Sequence, residues 1–321
     1  MHTPWLSILI PVYGVEAYLA ATLDSLLTQL LDGVEIVLIN DASPDGCAAI
    51  LADYAQRHPE VLHVLTQEQN AGISNTRNDL LAVARGEYLW FVDSDDLVSP
   101  GVVAAVRKII DAHAPDLLSF DFRTFEDATG QARKARYEHV RSFVGPSGVL
   151  HQDRDALLRG FFTTGQFHPW SKVVRRAIWP AELRFPAGRI FEDMAVYARL
   201  LLKVQTHFHV PEVWMSYRQR AGSALSGMKA GHLGDWMAGL DGYAAEMKGH
   251  EWQASTEFAV SHYCARALLG TRRKARRLKK PIENEMPIWR RASPLTAAQL
   301  TRAYLRRGQF LRALQWAINS A

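Results

Sequence analysis

YLWFVDSDDL, residues 88–97, runs five apolar residues straight into three carboxylates within four positions. The apolar run is too short for a helix and shows no polar alternation, so it reads as a strand buried on both faces. Strands of that kind belong to parallel sheets covered by helices, and such sheets bind ligands beyond their carboxyl ends. The carboxylates sit at that end. A buried carboxylate without a partner costs several kcal/mol, so positive charge is required against Asp93, Asp95 and Asp96. In an extended chain alternate side chains share a face, which sets Asp93 and Asp95 one way and Asp96 another. Two carboxylates on one face suit a hard dication, Mn²⁺ or Mg²⁺, whose shell substrate phosphates and water complete. The plainer alternative has the aspartates capping the next turn and helix, where Ser99-Pro100 fits a helix start.

Working outward, three more strands of the same character precede this one. They are WLSILIPV (5–12), VEIVLIN (34–40) and VLHVLTQ (61–67), with EYLWFVD (87–93) the fourth. Helical spacing fills the intervals at 15–31, 45–58 and 73–84, and a helix near 100–112 leads to DLLSFDF (116–122). The pattern predicts an α/β fold with a mostly parallel central sheet flanked by helices. Each strand ends in polar residues: Pro11-Val12-Tyr13-Gly14, NDASPDG (40–46), EQNAGISNTRN (68–78) and DSDD (93–96). Four polar clusters on one rim describe a cleft. Beyond residue 122 the pattern is irregular to about 170. A strong helix then follows GRIFEDM, THFHV and VWMSYRQR read as short strands, and 235–321 reads as mostly helical.

With 321 residues and 48% hydrophobic content the chain can close a full core. It has no 18-residue uncharged apolar run and no basic leader with a small-residue cleavage site, which points to a cytoplasmic protein. Cys47 and Cys264 fit no metal or redox spacing and read as ordinary thiols. The net charge of +4 divides unevenly: residues 235–321 hold 15 Lys/Arg against 7 Asp/Glu, leaving the rest at −4. RRKARRLKK (272–280) concentrates seven charges. Leu300, Tyr304, Leu311, Leu314 and Ile318 recur at helical spacings with Arg302, Arg306 and Arg312 on other faces, a basic amphipathic helix. An anionic membrane surface is the expected partner of 272–280; the alternative is a helix packed on the catalytic domain. Nucleic acid is not expected, since no aromatic-basic interleaving accompanies the charge.

Taken in order, SILIPVYGVEAYL, VLINDASPDG, NAGISNTRN, GEYLWFVDSDD, GRIFEDM and YRQRAGSALS resemble the motifs of inverting glycosyltransferase family 2, of the GT-A fold and of the bacterial type acting in polysaccharide or glycoconjugate synthesis. The resemblance covers residues 5 to about 226, with Gly14 where Asn is frequent and Thr76 where Ala is frequent. It implies a GT-A catalytic domain over 1–230, with a nucleotide-sugar half (1–122) and an acceptor half (123–230), and a helical basic C-terminal region at 231–321. It implies that Tyr13 packs on the nucleobase of a UDP-sugar, Pro11 and Val12 give backbone contacts, and Asp41 accepts from the base N–H. Asn70 and Arg77 border the nucleotide, Asp93 and Ser94 touch ribose or metal-bound groups, and Asp95 is the ligand of Mn²⁺ or Mg²⁺. For Arg77 a surface ion pair is the simpler alternative. Asp193 is the expected general base on the acceptor hydroxyl and Glu192 its orienter, although an acidic pair at a helix start also complements the helix dipole. The acceptor is a glycan or lipid-linked glycan, met in the cytoplasm or at the inner face of the plasma membrane.

Two further features admit plain readings. His207 and His209 have metal-like spacing that an edge strand explains, and His168-Pro169-Trp170 either lines an acceptor site or packs in the core. A non-catalytic sugar-binding relative and a phosphatase of the Asp-x-Asp type are the rival functions. The phosphatase motif normally ends a first strand, not a fourth.

Overall fold

A computed structural model describes residues 3–127, 137–220, 232, 234–279 and 285–320. The chain groups into two compact units that do not follow a linear division at residue 230. The first comprises Met1–Gln152, His168–Gly188 and Lys203–Ala221; the second comprises Asp153–Phe167, Arg189–Leu202 and Gly222–Ala321.

The first unit is built on a sheet of nine strands among the described residues. Strands β1 (Leu6–Val12), β2 (Val34–Asn40) and β4 (Tyr88–Phe91) are buried along their whole length, as their unbroken apolar sequences require. With β3 (Leu62–Thr66) they lie in the order β3-β2-β1-β4, all parallel. Helices α1 (Glu16–Leu27), α2 (Cys47–Arg57) and α3 (Ile73–Val83) are the crossovers. In α1 the residues Leu19, Thr22, Leu23 and Leu26 form the buried stripe of a covering helix. Because β1, β2 and β4 are parallel, their carboxyl ends share one rim.

Beyond β4 the sheet turns mixed. A two-residue strand β5 (Leu97–Val98) precedes α4 (Val102–His113) and the long β6 (Leu117–Glu126). Then come β7 (Leu150–His151), β8 (Lys172–Arg175) and β9 (His207–Gln219). β8 lies between β4 and β6, antiparallel to both, and β9 runs parallel to β6. THFHV and VWMSYRQR are therefore one strand, not two. The ladder steps from Val210 straight to Val213, so Pro211 and Glu212 fall in an irregularity that spares proline a ladder bond. Nor is β9 an edge: β6 lies on one side, β5 and β7 on the other.

The second unit is helical. It contains α5 (Arg154–Thr164), which sequence periodicity did not disclose, and α6 (Glu192–Leu201), where a strong helix was expected. The remainder are α7 (Asp235–Ala238), α8 (Tyr243–Glu246), the 25-residue α9 (Ala254–Leu278), α10 (Glu285–Ala292), α11 (Ala297–Arg306) and α12 (Phe310–Ser320). Phe162, Phe167 and Tyr263 pack edge to face within it, with the Tyr243 ring tilted against Phe162. The expected basic amphipathic helix is two helices, broken at Arg307-Gly308: Leu300 and Tyr304 are buried on α11, whereas Leu311, Leu314 and Ile318 are exposed on α12. Among the described residues no helix is long and apolar enough to cross a membrane.

Candidate active site

The rim begins where β1 and β2 end together. The Val12 carbonyl accepts the Asp41 amide at 2.9 Å, extending the parallel ladder by one residue. Val12 is buried, and the next residue, Tyr13, turns out with half its surface exposed. Pro11 needs no explanation beyond its place in the strand, opposite Ile39. On β2 the chain leaves the strand through Ala42 at φ +51°, a left-handed conformation unusual for a residue with a Cβ. The Asn40 side chain holds that turn by accepting the Ser43 amide at 3.0 Å.

Asp41 is buried and occupied. One carboxylate oxygen accepts the Ala71 amide at 2.6 Å; the other accepts the Gly72 amide at 2.9 Å and the Asn70 side-chain amide at 3.1 Å. The residue expected to read a base therefore clamps the 70–72 turn against the end of β2. Gly72 sits at φ +83°, which explains a glycine at the entry to α3. Asn70 and Asp41 are thus one hydrogen-bonded unit.

Arg77, on α3, is buried and donates to Asp93 at 3.0 Å, with the Phe185 ring 5.5 Å from its guanidinium. This is a buried ion pair, not the surface pair held as the alternative. The DSDD segment is a turn rather than an extended strand end: β4 stops at Phe91 and the Asp96 amide donates to the Asp93 carbonyl at 3.2 Å. Strand alternation therefore does not set the directions of Asp93, Asp95 and Asp96; Asp93 pairs with Arg77. Nor do the aspartates cap α4, whose cap is Gly101 and carries no side-chain cap bond. Ser94 is buried, its carbonyl accepting Thr22 Oγ1 at 3.0 Å.

The positive charge against Asp95 and Asp96 comes from the end of β9, to which the sequence reading assigned no role. Arg220 Nε donates to Asp95 Oδ2 at 2.7 Å. Arg218 donates its backbone amide to Asp96 Oδ1 at 2.8 Å, its Nε to the Asp95 carbonyl at 2.8 Å and an Nη to Asp127 at 2.8 Å. Both guanidiniums lie over the Tyr18 ring, at 4.8 and 5.3 Å. The signal was present in the sequence: an Arg-x-Arg at a strand end puts both side chains on one face. Burial, followed by the charge of Asp93, holds the Asp95 carboxyl above its usual range, and burial pushes Asp96 well up.

His168 and Trp170 divide the two readings offered for them. Trp170 is core, with its ring 4.6 Å from Phe122 and its carbonyl accepting Trp90 Nε1 at 2.9 Å. His168 stacks on it, half-buried, at 4.9 Å. His207 and His209 are interior, not edge, residues: Ser119 Oγ bonds both, at 2.8 and 2.9 Å. Among the described residues no three His, Cys, Asp or Glu converge as a metal cage. Cys47 and Cys264 are buried free thiols.

Asp193 and Glu192 belong to the second unit, in the first turn of α6. Phe191 ahead of them is left-handed, at φ +61°, and stacks on Trp236 at 5.6 Å. Asp193 Oδ1 accepts the Met194 amide at 2.7 Å. Its charge and, above all, burial raise the hydroxyl pKa of Tyr263 in the same unit. The segment AGSALS (221–226) lies outside the described residues.

The model of the family described as Glycosyl transferase family 2 matches residues 7–170. Glycosyltransferase GlyA of Streptococcus pneumoniae serotype 4 is 28% identical over 223 residues, 68% of this chain and 31% of that protein. The minor teichoic acid biosynthesis protein GgaB of Bacillus subtilis is 36% identical over 129 residues, 39% of this chain and 14% of its own length. The chain thus spans a third or less of these two relatives. Among solved structures, S. aureus TarS 1–349 in complex with UDP-GlcNAc superposes with a TM-score of 0.70 at 21% identity, covering 95% of this chain and 88% of that one.

Proposed function

The chain belongs to glycosyl transferase family 2, and from that premise we propose that this glycosyltransferase moves a sugar from a UDP-linked donor to a hydroxyl of a glycan or lipid-linked acceptor, with inversion at the anomeric carbon. The observation that carries the reading is the polar rim at the ends of parallel strands β1, β2 and β4, where Asp41 clamps Asn70 and the 70–72 turn and Arg77 pairs with Asp93. TarS, which has the same fold, is bound to UDP-GlcNAc in its structure, and this supports a UDP-sugar.

In this reading Tyr13 offers its exposed ring to the base, and backbone at Pro11 and Val12 lies beside it. Asp41 keeps one lone pair, on Oδ1, beyond those given to Asn70, Ala71 and Gly72, and this accepts from the base N–H. The pair of Arg77 and Asp93, with Ser94, fixes the ribose end.

The rim residues fit a hard dication. Asp93 and Asp95 offer carboxylate oxygens with one residue between them, and such an ion takes one or two protein carboxylates with substrate phosphates completing its shell. Burial and the Asp93 charge disfavour an ionised Asp95, a penalty that a cation relieves. Asp95 would hold Mn²⁺ or Mg²⁺, with Asp93 beside it. When bound, the ion supplies Lewis-acid stabilisation of the departing diphosphate. Asp193 takes the proton from the acceptor hydroxyl, oriented by Glu192. One in-line displacement inverts the centre. The similarity to GgaB, a minor teichoic acid biosynthesis protein, supports an acceptor in polysaccharide or glycoconjugate synthesis. A membrane-apposed location follows from the basic run at 272–280.

A panel of nucleotide sugars, each assayed for nucleoside diphosphate release with Mn²⁺, Mg²⁺ or chelator, tests this. A UDP-sugar should turn over with metal and stop with chelator. Transfer indifferent to chelator would remove the cation from the reading, and binding without turnover of any donor would favour a non-catalytic relative.

A further inference from the structure

Arg220 occupies an oxygen that a cation at Asp95 would use. Its Nε lies 2.7 Å from Asp95 Oδ2, with both side chains about four-fifths buried. The neighbouring charges are matched in the same way. Arg77 pairs with Asp93 at 3.0 Å and Arg218 with Asp127 at 2.8 Å, while a fourth carboxylate, Asp96, accepts the Arg218 backbone amide at 2.8 Å. Arg218 is fixed by bonds to Asp96, the Asp95 carbonyl and Asp127, and by contact with Tyr18 and Phe125. Arg220 has the Asp95 bond and the Tyr18 ring.

We propose that Arg220 is the resident counterion of Asp95, and that it makes divalent-cation binding conditional on the diphosphate of the donor. The inference rests on the assignment of Asp95 as the metal ligand. A dication entering alone must either displace Arg220 from Asp95 or sit beside it, which sets two added positive charges against a guanidinium in a partly buried place. A dication entering with the doubly charged pyrophosphate of a UDP-sugar adds no net charge. Arg220, released from Asp95, then has phosphate oxygens to pair with, which its planar fork suits. By reciprocity, whatever UDP does for the cation's affinity the cation does for UDP's. Arg220 is thus a positioning residue: it sets the order of assembly through Asp95.

Mn²⁺ titration of the full chain, followed by the EPR signal of free Mn²⁺ with and without UDP, tests this independently of turnover. In the wild type, UDP should tighten Mn²⁺ binding by about tenfold or more. Arg220→Met keeps the side-chain length and drops the charge. It should bind Mn²⁺ alone about tenfold more tightly than the wild type, and the coupling to UDP should shrink by a similar factor. Arg220→Lys, which retains the charge, should stay near the wild type, and far-UV circular dichroism with thermal melting establishes that each variant folds. Unchanged Mn²⁺ affinity in Arg220→Met, or a wild type that binds Mn²⁺ equally with and without UDP, overturns the proposal. Asp95→Asn separates the two levels. If it loses Mn²⁺ while Arg220→Met is unaltered, Asp95 is the ligand and Arg220 is not its gate. If Asp95→Asn binds Mn²⁺ with UDP as the wild type does, the metal assignment falls and this inference with it.

Discussion

Asp95 and Asp193 carry the same functional group, and different consequences are expected from removing each charge. Asp95→Asn takes the anion from a turn already short of solvent and leaves Arg220 without its partner. Transfer should be abolished and UDP affinity in Mn²⁺ sharply weakened; full activity would refute the assignment. Asp193→Asn removes a proton acceptor from the first turn of α6 and leaves the first unit's donor residues intact. Turnover should then fall by about 10²–10⁴-fold, the usual contribution of a positioned base. The same fall should appear in kcat/KM, while UDP titration by calorimetry stays unchanged. If the variant loses UDP binding as Asp95→Asn does, Asp193 belongs with the donor residues; if it turns over normally, the base is another group. Arg77 makes a third, structural case. Arg77→Met strands Asp93, and losing one partner of a buried pair costs about 3 kcal/mol at the low end of the usual range, apt here because Asp93 is a quarter exposed. Chemical denaturation should register that loss.

Elements differ in how plainly their sequences announce them. β1, β2 and β4 are buried throughout, so burial writes itself into the sequence as unbroken Val, Ile, Leu and aromatic runs. That their polar ends share one rim was legible for the same reason. α5 was not: Ala156, Leu157, Leu158, Phe161 and Phe162 are all buried, which blurs the 3.6-residue stripe. β8 is four residues long and begins with a buried lysine, whose amine donates to the His168 carbonyl at 2.9 Å. In β9 the interruption at Pro211 divided one strand into two apparent ones, and with the strand the reading lost Arg218 and Arg220. β9 also carries a pH-sensitive load. Burial, then His151, His209 and Lys172 in turn, hold His207 well below the usual imidazole range. The unfolded chain therefore takes up a proton near pH 6.5 that the folded chain refuses. Stability is full above that pH and falls as pH drops below it, by up to about 1.4 kcal/mol per pH unit for this one group. His262, pushed down to about 4 mainly by burial, adds to the slope in the same direction. Melting temperatures measured from pH 7.5 down to 5 should decline, and His207→Gln should flatten the decline. A slope unchanged in that variant would assign the acid sensitivity elsewhere.

Across the whole chain the charge is segregated, +8 in residues 235–321 against −4 in the rest. After Glu285 the described residues carry six arginines and no acid, and α12 leaves Phe310, Leu311, Leu314 and Ile318 uncovered, Leu311 at 83% exposure. The run at 272–280 is not wholly available, since Arg272 is paired with Glu285 at 3.0 Å within the same unit. Arg273, Arg276, Arg277 and Lys279 are exposed. Charge and an apolar stripe together are what an anionic bilayer surface takes up, the charge by long-range attraction and the stripe by shallow burial. The two contributions predict separable behaviour in vesicle sedimentation. Replacing Arg276, Arg277 and Lys279 by Gln removes about 1 kcal/mol each, so partition onto phosphatidylglycerol vesicles should drop by roughly two decades. Raising the salt should reproduce that drop in the wild type, because screening shortens the reach of the same charges. Leu311→Ser with Leu314→Ser should also weaken binding, but with the salt dependence preserved, since no charge has been removed. Turnover on a soluble acceptor should be unchanged in both variants, because neither touches the rim residues. Vesicle binding that neither variant alters would mean that the basic face is simply solvated, and that the enzyme meets its acceptor without the help of the membrane surface.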